Sequence, residues 1–145
     1  MKVGDHAPDF ELKSNTGENI KLSSYFGKKK VVLFFYVKDN TPGCTAEVSG
    51  IRDHYPKVSK EYEVFGINQD SIESHMDFCQ KHKLPFKILS DPGKKVASSY
   101  DAKGPLGMYT KRITYLIGLD GKIEKIVESM GASNHIEFVQ GLSSF

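Results

Sequence analysis

The stretch VVLFFYVKDNTPGCT, residues 31–45, decides the fold. Its first seven residues are apolar or aromatic and show no alternation with polar residues. Such a run is typical of a strand buried on both faces, as in the middle of an α/β sheet. The polar segment that follows leads into a helical pattern, so Cys44 is expected in the first turn of a helix.

Apolar spacing predicts further strands and helices on both sides of this stretch. Turn residues Asn15, Thr16 and Gly17 predict an N-terminal hairpin, and Asp120 with Gly121 predicts another. The predicted strands are 9–12, 19–22, 62–67, 86–89, 112–118 and 122–127. The predicted helices begin near 45, with Pro56 kinking or ending the first part, and cover 71–82, 94–100 and a closing segment from about 134.

This order of elements predicts one α/β domain over residues 1–145. Strand, helix, strand, helix and then a hairpin with a last helix match a thioredoxin-like fold. Its central mixed sheet is flanked by helices, and the N-terminal β-hairpin is added to it. Functional residues in open α/β sheets gather beyond the carboxyl ends of the strands, and the segment after residue 37 lies at such an end.

The composition of the chain argues against several classes of function. A formal charge of +2 with scattered basic residues gives no reason to expect nucleic-acid binding. The longest apolar run has seven residues and the N-terminus has no apolar leader, so we expect no membrane span and a cytoplasmic location. Two cysteines are too few for a secreted disulfide scaffold, and their different sequence environments indicate that at least one of them is reactive.

Cys44 is the candidate nucleophile. Free backbone N–H groups at a helix start favour an anion, and therefore the thiolate form of a cysteine placed there. Greater thiol acidity also lowers nucleophilicity, so thiolate formation alone does not make a fast catalyst. Donors that stabilise the breaking bond are needed as well. The alternative is a small buried cysteine in a loop.

Four segments of the chain resemble the peroxiredoxins, and within them the bacterioferritin-comigratory or Q-type group. They are Ala7-Pro8-Asp9-Phe10, Lys38-Asp39-Asn40-Thr41-Pro42-Gly43-Cys44-Thr45, Arg52-Asp53 and Arg112-Ile113-Thr114-Tyr115-Leu116-Ile117. The resemblance implies a thiol-dependent peroxidase that needs no cofactor and reduces hydrogen peroxide and organic hydroperoxides.

By this resemblance Cys44 attacks the peroxide, Thr41 exchanges hydrogen bonds beside it, and Arg112 holds thiolate and peroxide. Glu47 resembles the carboxylate that orients Arg112. Each helper has a structural alternative: Thr41 as a turn residue before Pro42, Arg112 as a surface charge at a strand end, and Glu47 as a first-turn acid that the helix dipole favours.

The chain departs from the family pattern at two positions. Val37 stands where the usual signature has a proline, and Ser49 stands where many Q-type members carry a second cysteine. Cys79 is the remaining thiol, and by resemblance it resolves the Cys44 sulfenic acid as an intramolecular disulfide. A disulfide needs Cα atoms within about 7 Å, so we expect local unfolding before it forms. The alternative is a core cysteine with no redox role.

Recycling by thioredoxin or a similar dithiol and a monomeric state complete the expected function. A 1-Cys cycle with an external thiol and a non-catalytic redox sensor are the alternatives. A thiol-disulfide oxidoreductase is disfavoured because position 47 is Glu where a Cys-x-x-Cys motif needs cysteine. His75, Cys79 and His82 have the spacing of ligands on one helix face, but we expect no metal, since three ligands over two turns leave the site incomplete.

Overall fold

The computed structural model describes residues 1–142. Within these residues, the strands of the main sheet are β3 (Lys30–Phe35), β4 (Tyr62–Asn68), β5 (Lys87–Ser90), β6 (Ile113–Ile117) and β7 (Ile123–Glu128). These five strands form a mixed sheet in the order β5-β4-β3-β6-β7, with parallel pairing among the first three and antiparallel pairing among the last three. A separate antiparallel hairpin joins β1 (Glu11–Lys13) to β2 (Asn19–Lys21). The predicted thioredoxin-like fold is confirmed.

Strand β3 divides the core into two clusters. Val31, Leu33 and Phe35 point to the face covered by the hairpin and α3 (Lys95–Ser99), whereas Val32 and Phe34 point to the opposite face. All five residues are inaccessible to solvent, which confirms the strand buried on both faces. Each such side chain contributes on the order of 1.5–3 kcal/mol when it leaves water.

The second face of the sheet carries α1 (Pro42–Val58), α2 (Ile72–His82) and α4 (Ala132–Leu142). Helix α1 begins with Pro42, whose missing N–H costs nothing in a first turn. An end of the helix at Pro56 is wrong, because α1 continues to Val58. A proline this close to the helix end removes only one hydrogen bond, to the carbonyl of Arg52.

Helix α2 begins at Ile72, one residue after the predicted start, and Ser71 is its cap. The Ser71 side chain accepts a hydrogen bond from the Ser74 N–H at 3.1 Å. Apolar spacing in this helix predicts a buried stripe of Ile72, Met76 and Cys79. The prediction is wrong in part: Cys79 is buried, but Met76 is 43% exposed, and His75 and Phe78 fill the core instead. A fully buried histidine was unexpected because its polar ring needs a partner that the helical period does not reveal.

Helices α1 and α4 pack closely because Gly50 lacks a side chain. A Cβ atom at Gly50 would lie 2.5 Å from the Ile136 side chain. This approach brings the buried residues of α4 beside the first turns of α1. Within residues 1–142, no helix combines the length and apolar composition needed to span a membrane.

Candidate active site

Cys44 is the third residue of α1 and lies just beyond the carboxyl end of β3. It is a free thiol and only 1% exposed. The Nη2 atom of Arg112 lies 3.4 Å from its Sγ atom. The predicted position in a first turn is confirmed, and a guanidinium donor faces the thiol within a buried site.

Arg112 precedes β6 and is held at three points. Its Nε donates to the carbonyl of Met130 at 2.9 Å, its Nη1 contacts Oε1 of Glu47, and its Nη2 faces Cys44. Burial alone would lower the pKa of Arg112, but pairing with Glu47 and Cys44 raises it above its ordinary value. Arg112 is therefore a fixed cation at the thiol, and only 6% of it is exposed.

Glu47 lies one helical turn after Cys44 and is fully buried. Burial raises the pKa of Glu47 to about 7, although the charge of Arg112 acts in the opposite direction. Within the described chain, its Oε2 atom has no hydrogen-bond partner. The Nδ1 atom of His135 lies 4.0 Å from that oxygen.

His135 of α4 is a buried residue that the sequence did not single out. Its Nε2 lies 2.9 Å from the carbonyl of Ser129, and its Nδ1 lies 2.7 Å from Oγ1 of Thr114. Because a carbonyl only accepts, Nε2 carries the proton and the Thr114 hydroxyl donates to Nδ1. Burial lowers the pKa of His135, and the charge of Arg112 lowers it further. The ring is therefore a neutral neighbour of Glu47.

Thr41 immediately precedes α1 and has extended backbone geometry. Its hydroxyl donates to the carbonyl of Lys38 at 2.8 Å, and its side chain makes no capping hydrogen bond. The carbonyl of Thr41 instead accepts from the N–H of Thr45 at 2.8 Å. The hydroxyl oxygen keeps lone pairs that can accept a further hydrogen bond.

Val37 occupies the position of the usual family proline. Its carbonyl accepts from Nε2 of Gln69 at 3.4 Å, and Oε1 of Gln69 accepts from the Thr110 hydroxyl at 2.7 Å. One side-chain hydrogen bond from Gln69, which Thr110 holds in turn, therefore anchors the backbone where a proline ring would restrict it.

Cys79 is 6% exposed and packs in the same apolar cluster as Cys44. Both cysteines are free thiols. Burial, with a smaller contribution from the charge of Asp39, raises the pKa of Cys79 to about 12. In the folded protein Cys79 is therefore a protonated thiol and a poor nucleophile.

The metal alternative finds no support at His75, Cys79 and His82. Nδ1 of His75 already lies 2.7 Å from Asp39, and the His82 ring packs edge-on against Phe78. Among residues 1–142, no group of three or more His, Cys, Asp or Glu side chains is placed to hold a metal ion.

The fold and the site are those of a thiol-dependent peroxidase. The sheet is thioredoxin-like, a cysteine lies in the first turn after its central strand, and an arginine faces the sulfur of that cysteine. The chain belongs to the AhpC/TSA family, which matches residues 3–126. It is 38% identical to peroxiredoxin Bcp of Bacillus subtilis over 94% of this chain and 90% of that protein. It is 42% identical to the chloroplastic peroxiredoxin Q of Sedum lineare over 85% of this chain and 67% of that protein.

Solved structures agree with this assignment. Peroxidoxin BcpB from Mycobacterium tuberculosis superposes with a TM-score of 0.90 at 32% identity, covering 99% of this chain and 96% of that chain. A mutant of Xylella fastidiosa PrxQ gives a TM-score of 0.90 at 27% identity, with 97% and 94% coverage. The predicted resemblance is confirmed, and the enzyme is an oxidoreductase that reduces peroxides with electrons from a thiol.

Proposed function

We propose that Cys44 is the residue that attacks the peroxide. The observation that carries this proposal is the 3.4 Å contact between Arg112 Nη2 and Cys44 Sγ in the first turn of α1. A guanidinium and the free N–H groups of the helix start both stabilise negative charge on the sulfur. No cofactor is needed, because the sulfur itself supplies both electrons.

In the first step the Cys44 thiolate forms a bond to one peroxide oxygen while the O–O bond breaks. The sulfur is oxidised to a sulfenic acid, and the second oxygen leaves as hydroxide or alkoxide and takes a proton to become water or an alcohol. Negative charge shifts from sulfur to the leaving oxygen during this step. Arg112 already faces the sulfur, and its donation to the leaving oxygen as well would stabilise the transition state with a preorganised charge.

Thr41 serves the same step through its hydroxyl oxygen. Because its hydrogen is donated to the carbonyl of Lys38, the oxygen is left to accept from the O–H of the peroxide. Glu47 fixes the guanidinium plane by contacting Nη1 of Arg112. The proposed substrates are hydrogen peroxide and organic hydroperoxides.

We propose that Cys79 resolves the sulfenic acid. Its thiolate attacks the Cys44 sulfur, the S–S bond forms and the S–O bond breaks, and hydroxide leaves and is protonated to water. Because Cys79 has a pKa of about 12 while buried, local opening must expose it first. Thioredoxin or a similar dithiol then reduces the disulfide, with the enzyme acting as a monomer in the reducing cytoplasm.

A 1-Cys cycle is the second candidate, and the burial of Cys79 favours it. In that cycle an external thiol reduces the Cys44 sulfenic acid directly. Mass spectrometry after one equivalent of peroxide separates the two: a Cys44–Cys79 disulfide supports resolution by Cys79, whereas a persistent sulfenic acid with free Cys79 supports the 1-Cys cycle.

Turnover tests the assignment of Cys44. With thioredoxin, its reductase and hydrogen peroxide supplied, Cys44→Ser should abolish peroxide consumption. Cys79→Ser should keep the first reaction with peroxide and lose recycling by thioredoxin. Undiminished consumption by Cys44→Ser would contradict the assignment, as would loss of the first reaction in Cys79→Ser.

A further inference from the structure

A second polar cluster is buried between the Cys44 loop and helix α2, away from the peroxide chemistry. Asp39 lies five residues before Cys44 and is 4% exposed. Its Oδ2 accepts from His75 Nδ1 at 2.7 Å and from Ser74 Oγ at 2.8 Å. Its Oδ1 accepts from the hydroxyl of Tyr36, the residue that directly follows β3. We call Asp39, Ser74 and His75 the clasp.

The clasp joins the two segments that carry the two cysteines. Asp39 belongs to the loop that ends in the first turn of α1, where Cys44 lies. Ser74 and His75 belong to the first turn of α2, and Cys79 follows His75 by one turn on that helix. The backbone of the loop is tied to the same region, because the Asp39 N–H donates to Asp70 Oδ2 at 2.8 Å.

The carboxylate of the clasp is charged. Burial would raise the pKa of Asp39, but hydrogen bonds from His75, Tyr36 and Ser74 hold it below its ordinary value. Charge-assisted hydrogen bonds are about twice as strong as neutral ones, so the closed clasp is a firm restraint. His75 Nε2, however, is buried without a hydrogen-bond partner in residues 1–142. When the first turn of α2 opens, Nε2 can form a hydrogen bond with water, and this gain favours opening.

The far end of α2 is held differently. Arg52, in the middle of α1, donates from Nη1 to the carbonyl of His82 at 2.7 Å. This contact restrains α2 but does not touch the loop before Cys44. Of these two restraints on α2, the clasp alone links the helix of Cys79 to the movement of the Cys44 loop.

We propose that Asp39 and His75 are positioning residues that keep the Cys79 helix closed until the Cys44 loop moves, and so set the rate of disulfide formation. The proposal rests on the resolving role of Cys79. Disulfide formation requires both buried segments to open, and the clasp is a direct link between them. A broken clasp releases α2 without waiting for the loop, so Cys79 reaches the sulfenic acid sooner.

Thiol labelling in a Cys44→Ser background tests the restraint without any peroxide chemistry. His75→Leu removes the donor to Asp39 and should raise the labelling rate of Cys79 about tenfold, the effect expected for one charge-assisted hydrogen bond. His75→Asn places an amide donor near the position of Nδ1 and should restore slow labelling. Ile20→Val, a core change in the opposite cluster, is the matched control and should leave labelling unchanged.

Disulfide formation is then followed with Cys44 present, after one equivalent of hydrogen peroxide. His75→Leu should form the Cys44–Cys79 disulfide faster than the wild type and accumulate less Cys44 sulfinic acid under excess peroxide. Its rate of sulfenic acid formation should be unchanged, because the clasp does not contact the thiol.

The outcomes separate this proposal from the function on which it rests. If the wild type forms no Cys44–Cys79 disulfide, the resolving role of Cys79 fails and the clasp proposal falls with it. If the disulfide forms but His75→Leu leaves its rate and the labelling of Cys79 unchanged, only the clasp proposal is overturned. An equal acceleration by Ile20→Val or by His75→Asn would also overturn it.

Discussion

The Nη2 atom of Arg112 lies 3.4 Å from the Sγ atom of Cys44. The same guanidinium gives Nη1 to Glu47 and Nε to the carbonyl of Met130, so its plane is fixed before a substrate enters. Catalytic donors are most effective when they need no reorganisation during the reaction. The rate of the first step should therefore depend on the planar, three-donor geometry of the Arg112 guanidinium and not only on its charge.

Replacing Arg112 with Lys tests this dependence. A lysine keeps the charge but cannot contact Glu47, Met130 and Cys44 together. We expect the second-order rate constant for hydrogen peroxide to fall about 10²- to 10³-fold, as for loss of one preorganised donor. The measurement is stopped-flow oxidation of the reduced enzyme. Lys111→Gln removes the neighbouring basic residue, which is paired with Glu128, and should leave the rate unchanged.

Gly43 provides a test through geometry alone. A Cβ atom at this position would lie 3.3 Å from Nη2 of Arg112. This is shorter than an ordinary van der Waals contact, and a side chain held at three points cannot shift easily to relieve it. Gly43→Ala should displace the guanidinium from Cys44 and slow the peroxide reaction several-fold to about tenfold, with a folded protein. Gly141→Ala, where a Cβ atom meets nothing within 4 Å, is the control and should not change the rate. Equal rates for both variants would contradict the proposed position of Arg112.

The sequence predicted the elements that local pattern determines. The apolar run of β3 and the polar segment after it placed Cys44 correctly. Strand burial and the start of a helix can be predicted because they depend on residues that are neighbours in sequence. Contacts between distant segments were harder to foresee. Glu47 and Arg112 are 65 residues apart, and only the family resemblance connected them.

Buried polar residues were missed for a physical reason. Helical periodicity treats His75 as a polar surface residue, so it placed Met76 in the core in its stead. The carboxylate of Asp39 permits the burial of His75 by accepting a hydrogen bond from Nδ1 of its imidazole. His135 is similar, since its partners are a backbone carbonyl and Thr114, and a backbone carbonyl has no sequence signature.

Two substitutions of Thr41 distinguish the effect of its hydroxyl group from the effect of its side-chain volume. Thr41→Val keeps the volume but cannot donate to Lys38 or accept from a peroxide, so the first-step rate should fall by about 10²-fold. Thr41→Ser retains the hydroxyl and should keep most of the activity. If Thr41 is only a turn residue, Thr41→Val should lower the unfolding midpoint through the lost contact with Lys38 and leave the first-step rate close to that of Thr41→Ser. Stopped-flow oxidation of both variants, with their unfolding midpoints, distinguishes these outcomes.

Glu47 predicts a particular dependence of stability on pH. Its pKa rises from an ordinary value of 4.5 to about 7 in the folded protein. Between these values the folded chain holds a proton that the unfolded chain has lost, so the free energy of unfolding decreases as pH rises. The contribution of the protonated Glu47 is full below about pH 4.5 and is lost as pH rises to about 7. The change is on the order of 3 kcal/mol.

Urea unfolding of the reduced protein between pH 4.5 and 8 measures this effect against Glu47→Gln, which cannot ionise but can still accept from Arg112. Subtracting the two free energies of unfolding removes the titration of groups common to both proteins, such as His135. We expect the wild type to lose stability relative to Glu47→Gln up to about pH 7, with no further change at higher pH. A constant difference across this range would mean that Glu47 ionises as readily in the folded protein as in the unfolded chain, and that its partners offset the full cost of burying its charge.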